Sequence, residues 1–294
     1  MDQTNIIRDL LRWLDNHLDQ PLSLDNVAAK AGYSKWHLQR MFKDVTGQAI
    51  GSYIRARRLS RAAVALRLTS RPILDIALQY RFDSQQTFTR AFKKQFNKTP
   101  AFYRLSEEWC ATGICPPILL DKRHIPEATY ITLEELQLVG IEQSCSYMLE
   151  QWSSFCTEMR QNFWTYYLQN AEVLPPVLYG LHHAIPNPEK EDEQTVFYTT
   201  AVEPKYAQFD VVGSQPVTLP AGEYVSFSYY GTKEGLQNFL FTVYGICLPI
   251  LNLTRRKGYD IERYYPTHIN DRDKEAKNHI IEFQYLIPIQ PLTL

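Results

Sequence analysis

One helical code occurs twice in this chain, fifty residues apart, and it constrains the first hundred residues more than any other feature. The first copy runs Ser34-Lys35-Trp36-His37-Leu38-Gln39-Arg40-Met41-Phe42-Lys43, and the second Ser84-Gln85-Gln86-Thr87-Phe88-Thr89-Arg90-Ala91-Phe92-Lys93. At 100° per residue, Leu38, Met41, Phe42 and Val45 share one side, leaving Trp36, Gln39, Arg40 and Lys43 opposite. Adding fifty puts Phe88, Ala91 and Phe92 inside, with Gln86, Thr89, Arg90 and Lys93 outside. One amphipathic helix is an ordinary surface element. Two in register, each offering Gln, Arg and Lys outward, point to DNA read twice.

The residues before each copy spell a helix–turn–helix. Ser23 is placed to cap a helix over Leu24 to Ala31, Gly32 supplies a left-handed turn, and Ser34 caps the second helix, which Thr46-Gly47 stops. In the second copy, Pro72 opens a helix that runs to about Tyr80, Ser84 caps the next, and Asn97 ends it before Thr99-Pro100. That unit places its second helix in a major groove. Arg81 stands where Gly32 stands, and Asp83 is inserted, so a different turn geometry is expected there. Gly51 to Leu68 reads as one continuous helix of about 27 Å between the units. That length suits two readers set roughly one DNA turn, 34 Å, apart.

Charge agrees. Residues 1–105 hold 18 Lys+Arg against 8 Asp+Glu, a net +10, and the remainder holds 13 against 24, a net −11. A near-neutral total therefore conceals a basic part suited to phosphate and an acidic part that is not.

From Asn26 to Arg104 the chain resembles the AraC/XylS family of transcription regulators, down to Ile-Ala…Phe-x-Ser-x-x-x-Phe-x-Arg-x-Phe-Lys at Ile76–Lys93. Gly32 to Lys43 is similar, more narrowly, to the MarA/SoxS branch. The resemblance implies an activator of stress, multidrug-efflux and solvent-tolerance genes that binds DNA as a monomer and contacts RNA polymerase. It also assigns base contacts to Trp36, Gln39 and Arg40 in the first helix and to Gln85, Gln86, Thr89 and Arg90 in the second. The chemistry concurs, since Arg forks onto guanine, Gln onto adenine, and Trp covers a thymine methyl. Lys35, Lys43, Lys93 and Lys94 are expected on phosphates.

The rest is a second domain. A connector is expected over 106–121, where Cys115-Pro116-Pro117 interrupts any helix while Trp109, Ile114 and Ile118-Leu119-Leu120 favour burial. This divides the chain into 1–105, 106–121 and 122–294. Strands are expected over Gln137–Tyr147, Val177–Ile185, Thr195–Val202, Tyr224–Tyr230, Asp260–Tyr265 and Ile280–Ile289, and helices over Glu150–Gln169 and Lys233–Leu251. The fold class is thus multidomain: an all-α part with two helix–turn–helix units joined by a long helix, then an α+β part. In the latter an order of strand, helix, strand, strand occurs twice, suggesting one antiparallel sheet with both helices on one side and a pocket on the other.

That second part resembles the GyrI-like effector-binding module, through segments such as Gly258-Tyr259-Asp260-Ile261-Glu262-Arg263-Tyr264. The resemblance implies an aromatic groove with a carboxylate that meets an amphipathic ligand. Glu262, sharing a strand side with Asp260 and Tyr264, is the candidate carboxylate, and Tyr147, Trp164, Tyr179 and Tyr229 are candidate walls. Two further readings stand beside ligand sensing: a domain that only binds protein partners or masks the activator surface, and an attached enzyme. No nucleophile motif supports the last, so no enzyme is expected. Five scattered cysteines and the lone pair His182-His183 complete no metal set, and neither metal nor cofactor is expected. No run of eighteen apolar residues and no signal pattern occurs, which fits a cytoplasmic protein without membrane contact.

Overall fold

The computed structural model describes residues 3–120, 125–145, 158–159, 162, 175–187, 194–207, 212–265 and 280–290. The amino-terminal part is helical: α1 (Gln3–Asp15), α2 (Leu24–Ala31), α3 (Lys35–Thr46), α4 (Ile50–Leu68), α5 (Ile73–Gln79), α6 (Gln85–Phe96) and α7 (Pro100–Leu105). The caps fall where the sequence places them. Ser34 and Ser84 accept from the backbone N–H of His37 and Thr87 at 3.3 and 3.2 Å, and Gly47 and Asn97 close α3 and α6 in left-handed conformations. α4 buries residues on every side, as befits a helix wedged between neighbours rather than lying on a surface.

At Arg81 the structure corrects the expectation of a new turn geometry. Gly32 has φ 73° and Arg81 φ 65°, so both are left-handed. Both turns carry the same paired bonds: Gly32 N–H to Ala29 O and Tyr33 N–H to Ala28 O, against Arg81 N–H to Leu78 O and Phe82 N–H to Ala77 O. The helix ending is thus conserved at an offset of forty-nine, and Asp83 lengthens the turn only afterwards. Arg81 also donates from Nε to Asp19 O, a contact that a glycine there lacks.

The connector docks along α4. Cys115 N–H donates to Ser60 Oγ at 2.9 Å, Arg57 donates to Cys115 O at 2.5 Å, and Gln95 Nε2 donates to Gly113 O at 2.9 Å. Trp109 and Ile114 are buried, as their character requires.

An eight-stranded antiparallel sheet follows, ordered β2-β7-β10-β9-β4-β5-β3-β6. Its members are β2 (Ala128–Leu133), β3 (Leu136–Cys145), β4 (Leu178–Pro186), β5 (Gln194–Val202), β6 (Ser214–Leu219), β7 (Gly222–Thr232), β9 (Asp260–Tyr264) and β10 (Ile280–Pro288). All six expected strands are present, and β2 and β6 add one more to each half. Exchanging β2, β3, β4, β5 with β6, β7, β9, β10 reverses the order onto itself, so the two halves are related by a pseudo-dyad between β9 and β4. Two-residue links join β2 to β3 and β6 to β7. In a flat sheet each link would have to cross six strand spacings, about 29 Å, whereas three peptide units reach at most about 11 Å. The sheet therefore curls until its edges meet, around Leu138, Tyr179, Leu181, Val217, Leu219, Tyr224, Ile261 and Leu286.

Helix α8 (Lys233–Thr242) continues through a π-helical stretch, Val243–Cys247, to Ile250 and covers the other face. The expected helix over Glu150–Gln169 falls largely outside the described residues. A two-stranded sheet, β1 (Trp109–Cys110) with β8 (Thr254–Arg255), ties the connector to the second domain. One core then runs from Ile73, Phe88 and Phe92 of the second helix–turn–helix unit through Trp109 and Tyr244 to the sheet. The first unit closes its own core with α1.

Candidate nucleic-acid interface and effector site

The outer faces of α3 and α6 are open. Trp36 is 68% exposed, and Gln39, Arg40, Lys43, Gln86, Arg90, Lys93 and Lys94 are exposed, while Gln85 and Thr89 are half-buried. Leu38, Met41, Phe42, Phe88, Phe92 and Phe96 are buried behind them. The helical period thus separated outward face from core as expected. Two candidate contacts already have intramolecular partners. Arg40 lies 3.8 Å from Asp44 and 5.7 Å from the Trp36 ring, and Lys35 pairs with Asp25 across the turn. These pairs are exposed and therefore weak, so a base edge or phosphate can displace them at small cost.

In the second domain the carboxylates are buried. Asp260, Glu262 and Tyr264 share one face of β9, as alternation requires, but that face is the one packed by α8, not the one opposite it. This corrects the expected placement. Glu262 Oε2 accepts from Tyr198 and Tyr264 hydroxyls at 2.9 and 2.8 Å, and Oε1 lies 3.0 Å from His182 Nε2. Space for this carboxylate comes from Gly180, directly across the strand pair. A Cβ there would meet the Tyr198 hydroxyl and stand 2.7 Å from Glu262 Oε2. Asp260 accepts from Arg255 Nε at 2.8 Å, from the Tyr285 hydroxyl at 3.1 Å and from the Tyr244 hydroxyl of the π-helical stretch. Burial, reinforced by the Asp260 charge, pushes both tyrosines well above the ordinary phenol value.

The candidate walls separate. Tyr229 shares the Glu262 face, packs on Phe283 and Phe239, and donates its hydroxyl to Thr232 O at 2.5 Å. Tyr179 pairs with Arg263 on the opposite face, so it cannot line one pocket with Glu262. The reason is register: neighbouring strands bring Gly180, not Tyr179, beside the carboxylate. Tyr147 and Trp164 lie outside the described residues. The sequence missed His182 and Tyr198, which only cross-strand register brings to Glu262.

A cleft of about 420 Å³ opens between the domains and leads to this network, with His182, Asp260 and Tyr244 on one side and Arg67, Arg104 and Trp109 on the other. Burial, then the nearby Arg255 charge, lowers Arg67 to about 10. Its Nη1 is held by the carbonyls of Tyr103, Arg104 and Ser106. Across the same junction Gln194 Nε2 donates to Leu66, Arg67 and Thr69 carbonyls at 3.1, 3.1 and 2.8 Å, closing the carboxyl end of α4. Trp109 stacks on Tyr244 at 4.4 Å, and Arg61 covers Phe241 at 4.2 Å.

Comparison with known proteins places both parts. Residues 27–106 match a helix-turn-helix domain model, and residues 126–282 match that of a GyrI-like small molecule binding domain. Over 99% of the chain and 100% of the relative, identity is 62% to the transcriptional regulator Rob of Salmonella typhimurium and 63% to the right origin-binding protein of Escherichia coli K12. The regulatory protein SoxS of E. coli K12 is 59% identical over 35% of this chain and 97% of its own length. Among the described residues no helix is long and apolar enough to cross a membrane.

Proposed function

The chain belongs to the AraC-family helix-turn-helix transcriptional regulators typified by Rob and SoxS, and on that premise we propose that it is a cytoplasmic, non-enzymatic activator of stress, multidrug-efflux and solvent-tolerance genes. It binds promoter DNA as a monomer and contacts RNA polymerase. Trp36, Gln39 and Arg40 read bases from α3, and Gln85, Gln86, Thr89 and Arg90 from α6. Lys35, Lys43, Lys93 and Lys94 hold phosphates. The observation that carries this reading is the pair of capped helices with exposed Arg, Gln and Trp over a buried apolar side. Residues 1–105 form the DNA-binding part, 106–121 the connector and 122–294 the sensing part.

The sensing part takes an amphipathic small molecule, with Glu262 facing its polar end and Tyr229 among the aromatic contacts. A full-length titration by calorimetry, with one cationic and one anionic amphiphile, tests this. Glu262→Gln is expected to weaken the cation more than the anion, because an opposite charge offsets the desolvation of the carboxylate. Tighter binding of the anion in that variant would mean that Glu262 repels the natural ligand. Neither compound giving heat on folded protein would favour the second reading, in which this domain binds only protein partners or masks the activating surface. The Gln194 bond to α4 and the bridge that Trp109 makes from Tyr103 to Tyr244 are what support that alternative. DNA binding itself is tested by selecting duplexes from a random pool. Equal affinity for selected and random DNA would overturn it.

A further inference from the structure

We propose that the connector is a strut that sets the angle between the two reading helices, with Gln95 of α6 as the positioning residue that fastens the second of them to it. This rests on the DNA-binding reading above and adds what holds its geometry. The need for a strut follows from α4. Ile50, Tyr53 and Ile54 belong to the core of the first unit, and Leu59, Ala62 and Ala63 to the core that contains the second, so the two cores meet at a seam near Arg57 and Ser60. Long helices are seldom straight, so α4 alone does not fix the angle across that seam.

The connector crosses it. Trp109 and Ile114 belong to the second core, while Ile118 and Leu120 pack on the first. Between them runs Cys115-Pro116-Pro117, and two consecutive prolines fix φ and leave the crossing little slack. The crossing is pinned to α4 at the seam. Cys115 donates its N–H to Ser60 Oγ at 2.9 Å and accepts at its carbonyl from Arg57 Nη1 at 2.5 Å. The same Arg57 pairs through Nε with Asp15 of α1 at 2.9 Å. Arg57 and Ser60 are 4% and 1% exposed, and hydrogen bonds shielded from water in this way hold more firmly than exposed ones.

The second reading helix is fastened to the same point. Gln95 Nε2 reaches Gly113 O at 2.9 Å, Ala56 O at 3.2 Å and Ser60 Oγ at 3.3 Å, so one amide bridges α6, α4 and the connector. Gly113 makes a contact closed to other residues: its φ is 87°, and a Cβ there would lie 2.7 Å from Phe96 Cδ1 and 2.8 Å from Gln95 O. The connector backbone therefore presses on the last turn of α6. At its other end β1 pairs with β8 beside Arg255, the partner of Asp260, so the strut starts from the buried carboxylates of the sheet domain. Gln95 is half-buried and bonded inward, and it acts on DNA only through the pose of α6.

The test uses the full-length protein and a duplex selected from a random pool, with versions carrying one base pair more or fewer between the segments bound by α3 and α6. Gln95→Met keeps the side-chain length and removes the donor. Ser60→Ala removes the shared acceptor from the α4 side, so each variant stands in if the other fails to fold. In both, the affinity ratio between selected and altered spacings should fall about three- to tenfold, as the loss of one or two hydrogen bonds allows. The slope of log K against log salt should stay as in the parent, since no cation is removed. Combining the two should add little, because both open one junction. Without DNA, residual dipolar couplings of the backbone amides should report a changed or averaged angle between α3 and α6. A parent-like spacing ratio in either folded variant would overturn the proposal. If the parent selects no sequence or is indifferent to spacing, the two-helix reading itself fails and the couplings decide: one angle shared by parent and variants overturns the strut, and a different angle supports it.

Discussion

The two helix–turn–helix units share a code but not a setting. The first unit packs α2, α3 and the start of α4 against α1, with Asp15 as a half-buried anchor that pairs with the buried Arg57 at 2.9 Å and accepts from Tyr53. The second shares one continuous core with the carboxyl-terminal domain, through Tyr103, Trp109 and Tyr244. The two copies thus share an exposed Gln, Arg and Lys face and differ in what supports it. The consequence is directional: events in the sheet domain reach the second unit through one shared core, and the first through α4, the Arg81–Asp19 bond and the connector residues Ile118 and Leu120 that pack on its core.

The strongest way to break that comparison is Trp109→Ala. The indole is 4% exposed, stacks on Tyr244 and donates from Nε1 to the Tyr103 hydroxyl. Its removal should cost about 3–5 kcal/mol. Hydrogen exchange should show the loss in α5 to α7 and in α8, with α1 to α3 keeping their protection. Equal deprotection of both units would show that they form one cooperative body.

Next in size is the effect on readout. Arg40→Ala should cost about 1–3 kcal/mol on a selected site and flatten preference at one base pair. If the units are equivalent readers, Arg90→Ala should do likewise one turn away. A stiff α4 resists fitting both helices into straight DNA, so a uniform, smaller loss is expected for Arg90. Competition against single-base variants separates the outcomes, and an equal sequence-specific loss from both would remove this asymmetry.

Much of the helical part was legible in the sequence because its signals are local. Ser34, Gly47, Ser84 and Asn97 mark boundaries by their own chemistry, and a 3.6-residue period sorts Phe88 from Arg90 without knowledge of anything distant. In the sheet domain, strand existence was equally local, but partnership was not. Glu262 was identifiable as a carboxylate on an alternating strand; that Gly180 makes room for it and that Tyr198 and His182 bind it depends on register between segments far apart in sequence. Alternation alone likewise could not tell which face α8 would cover, so Tyr179 and Glu262 were grouped although the sheet divides them. At Arg81 the local rule misled for another reason: the bond to Asp19 O, from the other unit, helps hold a conformation that a side chain resists on its own.

That turn supplies a smaller test. A left-handed conformation costs a non-glycine residue about 1–2 kcal/mol, which Arg81→Gly would relieve while losing the bond to the Asp19 carbonyl. The gain in stability is therefore expected to stay below about 1 kcal/mol, measured by urea unfolding. A loss of stability instead would show that the contact between units outweighs the strain, and would tie the two units more closely than their separate cores imply.

The smallest effect should come from protonation near the junction. His183 lines the interdomain cleft, stacks on Phe197 at 5.0 Å and meets Tyr259 edge-on, with Glu142 3.8 Å from Nε2. Burial lowers its pKa below the ordinary 6.5, and Glu142 only partly offsets this. The unfolded chain therefore takes up the proton first as pH falls. It follows that the contribution of His183 to stability is fully present above 6.5 and is lost as pH drops through the lower folded value. Unfolding followed by hydrogen exchange on either side of that value should show the acid-side loss in the sheet domain and the second unit. His183→Gln should shrink it, leaving α1 to α3 unaffected by the substitution. Should the substitution change the acid response of the first unit as much as that of the second, the junction would couple to both readers, and the division drawn from their cores would fail.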